Sequence, residues 1–391
     1  MIILNHKVPR GQGVDEPLSR QEYRNFIGRA GRLGQNNRTG VTYLFVNDKN
    51  DLRFYWDSFE IQEEITSALT KAHEEALAPY YLGLLPDRFT ERKLEDLFQK
   101  SLAKACKPNK SFSPQKLQNA LYAYLADKAT GGAKGRGGGT SLEFEVGSFG
   151  RDIAPYALSC GTCIQIFEYF YEGGENGGLP NGITQEEIES DKYLLEILYH
   201  ICRHSEVEQS GTLSFPNKSN QPELYIKAKY LVQEQLKKLL NETDAQGGRR
   251  NVLWYEGRSN AAKEENELWC LINKRNLNDE IAKLEAAMRA ILLLYWTRGM
   301  TFPEIRKLTQ FQSINKKLLS GDIERLAEVV SFHLDAIHKA LRLSGVFTPE
   351  ASNAFYALQT RVKYGMPRDL VRLANKHIYG LDRARLLSLM R

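Results

Sequence analysis

The apolar positions divide the chain into stretches of different period. Near the start, two strand-like runs, Met1 to Leu4 and Val41 to Val46, flank a helical stretch from Gln21 to Arg32. That is the order in which an α/β unit is laid down. Two short strands and one helix cannot bury a doubly wound sheet, so residues 1–61 are expected to be the remnant of a larger unit with sequence upstream. From Gln62 to Ala126 apolar residues recur every three or four positions, first Ile65, Leu69, Ala72 and Ala76, then Leu94, Leu97 and Leu102, which predicts helices. The run GGAKGRGGGTS at 131–141 breaks this pattern, and the alternating LEFEV of 142–146 follows it. That order fits a small helical domain with a β-hairpin wing, and the glycine-rich composition fits a flexible linker equally well.

Residues 150 to about 345 are overwhelmingly helical in pattern, with Gly, Asn, Ser and Pro clusters near 208–222 and 242–262 marking loops. The strongest predicted helix runs from Asn278 to Arg298. Its apolar stripe is Ile281, Leu284, Met288, Ile291, Leu292 and Tyr295, and Gly299 stands where a C-cap belongs. The helix after Gly321 carries a second stripe of Ile323, Leu326, Val330, Leu334, Ile337 and Leu341. At 100° per residue, Arg325 and Phe332 point away from that stripe and lie two turns apart on one face. Such a pair can hold a phosphate while an aromatic ring stacks on the adjacent base; an off-core Phe can also serve as a contact to another protein surface. No internal repeat is present.

Composition narrows the class. With 391 residues, 42% of them hydrophobic and 26% charged, the chain has enough apolar material for two to four packed domains. No stretch has the apolar length of a spanning helix, and the start lacks a secretory signal, so the expected location is cytoplasmic with no membrane partner. Five cysteines make no disulfide framework. The net charge of +5 is modest, but from Phe355 onwards eight basic residues face two acidic ones, a balance of +6. A basic tail of that kind is an electrostatic footprint for phosphate backbones.

The run QEYRNFIGRAGRLG at 21–34 is the most specific signal. Arg29 and Arg32 are three apart on one helical face, and Gly28, Ala30 and Gly31 keep the backbone approachable. Two forked guanidiniums suit a polyphosphate, where they stabilise the charge that spreads over the γ-phosphate oxygens in phosphoryl transfer. The bland alternative is a glycine-containing helix end whose arginines are solvated or pair with Asp15 or Glu22.

This run resembles motif VI of superfamily 2 helicases, in the branch shared by archaeal repair helicases and superkiller-type RNA helicases. Asn25 stands where that family carries glutamine. The resemblance implies that Arg29 and Arg32 are arginine fingers and that Gly28 belongs to the same ATP site. It also implies a mainly α protein: the remnant of a second RecA-like motor domain (1–61), a winged helix (62–147), a helical ratchet domain (148–345) and a helix-hairpin-helix-like basic tail (346–391). The ratchet domain is entered through a segment resembling SFGRDIAPYALS at 148–159. Its later part resembles LLLYWTRGMTFPEI at 292–305 followed by GDIERLAEVVSF at 321–332.

In that family the ratchet helix presents an arginine and an aromatic at the spacing of Arg325 and Phe332. The wing would place the basic loop residues Lys134 and Arg136, which alternate with Gly135 and Gly137, near nucleic acid. HIYGLDRARLLSL at 377–389 resembles a helix-hairpin-helix in which amides around Gly380 and the side chains of Arg383 and Arg385 meet the backbone; a Gly-capped helix pair reads the same way. The implied partners are an N-terminal motor domain and a single strand, DNA favoured over RNA.

Other features carry less chemistry. Cys160 and Cys163 form a CxxC, but it opens the apolar run CIQIFEYF, and Cys202 with His204 does not supply the second close ligand pair that zinc requires. No metal site is expected. His200 and His204 lack the HExxH interior and are read as surface or core histidines. Asp15 and Glu16, followed by Pro17, are read as a polar turn. No GxxxxGK[ST] phosphate loop occurs, so ATP and Mg2+ are expected to act only with the motor domain present. The remaining alternatives are a non-enzymatic nucleic-acid-binding module and a helical protein-binding scaffold.

Overall fold

The computed structural model describes residues 2–5, 7–9, 15–17, 42–45, 49–50, 52–53, 56, 88–100, 143–145, 148–172, 188, 193–210, 213–240, 267–272, 278–314, 318–343, 348–374 and 383–388. The chain divides into two units, Met1–Thr66 and Ser67–Arg391. In the first, β1 (Ile2–Asn5) pairs in parallel with β4 (Thr42–Phe45), Ile2 opposite Thr42 and Asn5 opposite Phe45. A parallel pair needs a crossover of a dozen or more residues, and Gln21–Arg32, expected to supply a helix there, lies outside the described residues. Between these strands β2 (Lys7–Pro9) runs antiparallel to β3 (Asp15–Pro17). Asp15 and Glu16 are therefore extended and strand-paired rather than a polar turn. Pro9 and Pro17 sit at the two ends of this ribbon, where a missing N–H disturbs the ladder least.

The second unit opens with β5 (Arg88–Thr90), antiparallel to β6 (Glu143–Glu145) with Phe89 opposite Phe144. The alternating LEFEV predicted β6; β5 falls inside a stretch expected to be helical, because three residues are too few to show a period of two. Helix α1 (Glu91–Gln99) follows β5 directly.

From Ser148 onwards the described secondary structure is helical. They form α2 (Ser148–Ile153), a 3-10 turn at Ala154–Tyr156, α3 (Cys160–Ile166) with its π-helical extension Phe167–Glu172, α4 (Leu194–Cys202) and α5 (Ser205–Gln209). Next come α6 (Pro222–Leu240), α7 (Glu267–Ile272), α8 (Glu280–Thr297), α9 (Phe302–Thr309) and α10 (Ser320–Leu343). The described chain closes with α11 (Pro349–Tyr364), α12 (Val371–Ala374) and α13 (Arg383–Ser388). The protein is mainly α. The expected divisions after 147 and 345 both fall inside this unit, and α11 packs along α10.

Helix α8 is the axis of the bundle. Helices α4, α6, α7, α9, α10 and α11 all pack on it, so it is buried on every side from Ala286 to Thr297. The single stripe read from the sequence understated this, because its charged positions cluster in the first turns at Glu280, Lys283 and Glu285. One guanidinium is trapped inside. Arg289, 1% exposed, donates from Nη2 to the Leu213 carbonyl at 2.9 Å and to Glu285 Oε1 at 2.7 Å, pairings that offset part of the desolvation. The helix ends at Gly299, whose φ of 77° places it in the left-handed conformation expected of a C′ residue. The second predicted stripe is also core: Ile323, Leu326, Val330, Leu334, Ile337 and Leu341 of α10 are all fully buried.

Candidate nucleic-acid interface

Helix α10 is about 36 Å long at 1.5 Å per residue. Most of its girth is buried, including Ala327, Ser331, His333, Ala336 and Ala340 on the flanks of the main stripe. Beyond Gly321, what remains exposed among the described residues is a narrow ridge: Glu324, Arg325, Glu328, Phe332, Lys339 and Arg342, with Asp335 partly covered. Phe332 is 46% exposed within this ridge. A phenyl ring so placed loses about 1 kcal/mol or more of burial it could have had in the core.

The ridge is completed by a residue from elsewhere. Helix α2, with Phe149 and Ile153 buried, packs against α10, and the turn that follows delivers Tyr156 to the ridge. Its ring meets Phe332 edge to face, with centroids 5.3 Å apart and planes at 61°. Tyr156 Oη donates to Asp335 Oδ2 at 2.6 Å. Lys339 Nζ lies 3.1 Å from the same oxygen and 5.3 Å from the Tyr156 ring centroid. Burial, reinforced by the bond to Asp335, pushes the Tyr156 phenol up to about 12, and the hydrogen bonds to Tyr156 and Asp335 raise the Lys339 ammonium above its ordinary value. Both groups hold their protons at neutral pH.

Beneath Phe332 lies a polar layer. His333 and His204, both buried, approach Nδ1 to Nδ1 at 3.0 Å, so one ring donates and the other accepts. Burial drives His333 down to about 4 and His204 well below the usual imidazole range. His200 stacks on Tyr169 with centroids 3.8 Å apart and contacts the Gln165 carbonyl at 3.2 Å through Nε2. Of the two histidines left open between surface and core, His204 is a core group and His200 is half-buried. Nearby, Glu206 accepts from the Ser159 amide at 2.5 Å and from Thr162 Oγ1 at 2.6 Å. Burial raises the Glu206 carboxyl, but these hydrogen bonds outweigh it and hold the group below its ordinary value. Ser159 also caps α3, accepting from the Thr162 amide at 3.2 Å. Cys163 and Cys202 are both fully buried in the core.

Among the described residues, the basic side chains of the tail do not form one exposed face. Arg361 is 4% exposed and lines a cavity of about 390 Å³ together with Leu358, Arg368 and Asp369. Arg383, expected at a phosphate, is engaged inside the fold. Its guanidinium carbon lies 3.7 Å from the Trp296 ring centroid, Nε donates to the Gly365 carbonyl at 3.0 Å, and Nη2 donates to the Met300 carbonyl at 2.8 Å. Burial lowers it to about 10. Arg385, two residues on, is exposed. Replacing Arg383 by Ala is expected to reduce stability by about 2 kcal/mol, from two charge-assisted hydrogen bonds and a ring contact, with single-strand affinity unchanged. Thermal unfolding alongside a binding titration checks both halves.

Of the residues singled out from the sequence, Arg325 and Phe332 lie on one exposed face, and Arg383 and Arg385 lie within α13. Gly28, Arg29, Arg32, Lys134, Arg136 and Gly380 lie outside the described residues. Tyr156 was missed. Nothing in the run APY distinguishes it from a buried tyrosine, since its place depends on how α2 packs. Among the described residues no cluster of three or more His, Cys, Asp or Glu could hold a metal ion, and no helix is long and apolar enough to cross a membrane. Compared with known proteins, the chain matches no family model and no curated protein.

Proposed function

We propose that this chain is the C-terminal portion of an ATP-dependent helicase of superfamily 2 and that α10 grips a single nucleic-acid strand during translocation. The observation that carries the reading is the exposed ridge of α10, where Arg325 and the 46% exposed Phe332 stand two turns apart on a helix whose other faces are buried. A guanidinium on a phosphate and a ring on the neighbouring base are the two contacts a strand of any sequence can satisfy. Lys134 and Arg136 of the glycine-rich loop, Arg385 and the amides around Gly380 add backbone contacts, and the helix-hairpin-helix resemblance favours DNA.

The ATPase side rests on GRAGR. Arg29 and Arg32 offer two planar forks to a polyphosphate beside the open backbone of Gly28. ATP with Mg2+ would supply the phosphoryl group whose transfer these arginines stabilise once an N-terminal motor domain provides the phosphate loop. The residues that would meet ATP lie outside the described residues.

Fluorescence anisotropy with a labelled oligonucleotide tests the strand-binding half. Arg325→Ala and Phe332→Ala are each expected to weaken binding by about five- to a hundredfold, the range for losing one phosphate contact or one stacked base. Unchanged affinity in both variants would remove α10 from the interface. ATPase activity that appears on adding the motor domain, and is lost in Arg29→Ala, tests the other half.

A protein-binding scaffold is favoured by a different patch. Ile226 and Tyr230, one turn apart on α6, are 67% and 58% exposed. That reading predicts no salt-sensitive binding of a strand.

A further inference from the structure

We infer that Tyr156 and Lys339 extend the strand site of α10, with Tyr156 as a second stacking ring beside Phe332 and Lys339 as a phosphate contact one heptad beyond it. This rests on the reading of α10 given above. Arg325, Phe332 and Lys339 follow one another at intervals of seven residues, and all three are exposed. Seven residues advance a helix by about 10.5 Å and turn it only about 20° from a whole number of revolutions. The ridge therefore presents a cation, an aromatic and a cation along a nearly straight line of about 21 Å.

Tyr156 is fixed relative to that line by three contacts. Its hydroxyl is bound to Asp335, its ring edge meets Phe332, and the Lys339 ammonium lies over its ring. Exposed ion pairs and hydrogen bonds of this kind add little to folding stability. They do immobilise two long side chains and a phenol that would otherwise sample several rotamers, which lowers the ordering cost of binding. Rings inclined at 61° form a corner, so a base stacking on one ring meets the edge of the other, an arrangement aromatic groups favour.

The Lys339 ammonium has three donors. Asp335, 3.1 Å away, and Tyr156 are its neighbours in the ridge, and its side chain is 55% exposed, so it remains accessible to a phosphate oxygen. Asp335 thus serves as a positioning residue that holds both Tyr156 and Lys339. Glu328, exposed between Arg325 and Phe332, limits how many phosphates the ridge can hold. Binding is accordingly expected to lean on stacking.

The test is a titration of the whole chain with fluorescein-labelled oligo-dT across a range of salt concentrations. Phe332→Ala reports on α10 itself. Tyr156→Ala is expected to lower affinity at least fivefold, the loss for one stacked base, while Tyr156→Phe, which keeps the ring, lowers it less. Lys339→Ala is expected to reduce the slope of log affinity against log salt by about 0.7, the signature of one phosphate contact on a single strand; a merely structural lysine would leave that slope alone. If Phe332→Ala has no effect, the assignment of α10 fails as a whole. If Phe332→Ala weakens binding but Tyr156→Ala does not, or the Lys339→Ala slope is unchanged, the extension fails and the α10 assignment stands. Lys339 is a surface residue, so its variant remains informative even if Tyr156→Ala does not fold.

Discussion

Lowering the pH from 7 to 5 is expected to destabilise this protein by about 2 kcal/mol for each of His200 and His333, with buried His204 adding to the loss in the same direction. The figure follows from a folded state that refuses protons an unfolded imidazole accepts below about 6.5. Burial takes His200 and His333 down to about 4 and His204 well below its usual range. For a group whose folded value is depressed, the stability is present above the unfolded value and lost as pH falls towards the folded one. The window is therefore roughly pH 6.5 to 4. Glu206 opposes the effect on His333 by favouring its charged form, while His333 and His200 both disfavour charge on His204. Denaturant midpoints at pH 7 and 5, at fixed ionic strength, measure the drop. The pair His204→Gln with His333→Gln should flatten the profile. A wild-type slope of less than one proton's worth, about 1.4 kcal/mol per pH unit, would show that these imidazoles accept protons in the folded state.

Gly365→Ala should be the most damaging single methyl addition at the C-terminal end of the bundle. Gly365 ends α11 with a φ of 62°, a conformation that costs a residue with a Cβ about 1–2 kcal/mol. Space is the second problem. A Cβ there would run into the Trp296 indole and lie 2.6 Å from Arg383 Nε. Trp296 cannot retreat, since it is 3% exposed and its Nε1 donates to the Val362 carbonyl at 2.9 Å. Overpacking of a rigid contact adds about 1–3 kcal/mol, so the total loss is expected to be about 2–5 kcal/mol. The small core of Met366, Leu370, Leu386 and Leu387 depends on the same turn. Thermal unfolding of Gly365→Ala beside Arg383→Ala separates the two contributions. Equal losses in both variants would mean that the backbone strain and the indole clash are absorbed elsewhere.

The candidate site was half legible. A stripe of six apolar residues on α10 fixed its buried side, and that alone placed Arg325 and Phe332 opposite. Tyr156 could not be found the same way, because its neighbours along the chain say nothing of a helix 176 residues further on, where Phe332 sits. Arg383 is the converse case. A basic residue near a glycine resembles a phosphate contact, yet two carbonyls and an indole brought together by the ends of α8 and α11 engage it first.

Local periodicity by itself determined the helical class, the core faces of α8 and α10, the strands β4 and β6, and the glycine that ends α8. These follow from short-range rules: side chains three or four apart share a helical face, alternate ones share a strand face, and only glycine takes a positive φ freely. Tertiary structure decided what lies against each face. It enclosed α8 on every side, turned Asp15 and Glu16 into a paired strand, gathered His204 and His333 from distant parts of the chain, and set Tyr156 beside Phe332. Each of these depends on contacts between residues far apart in the chain. A sequence pattern shows which surfaces must be covered, and packing alone selects what covers them.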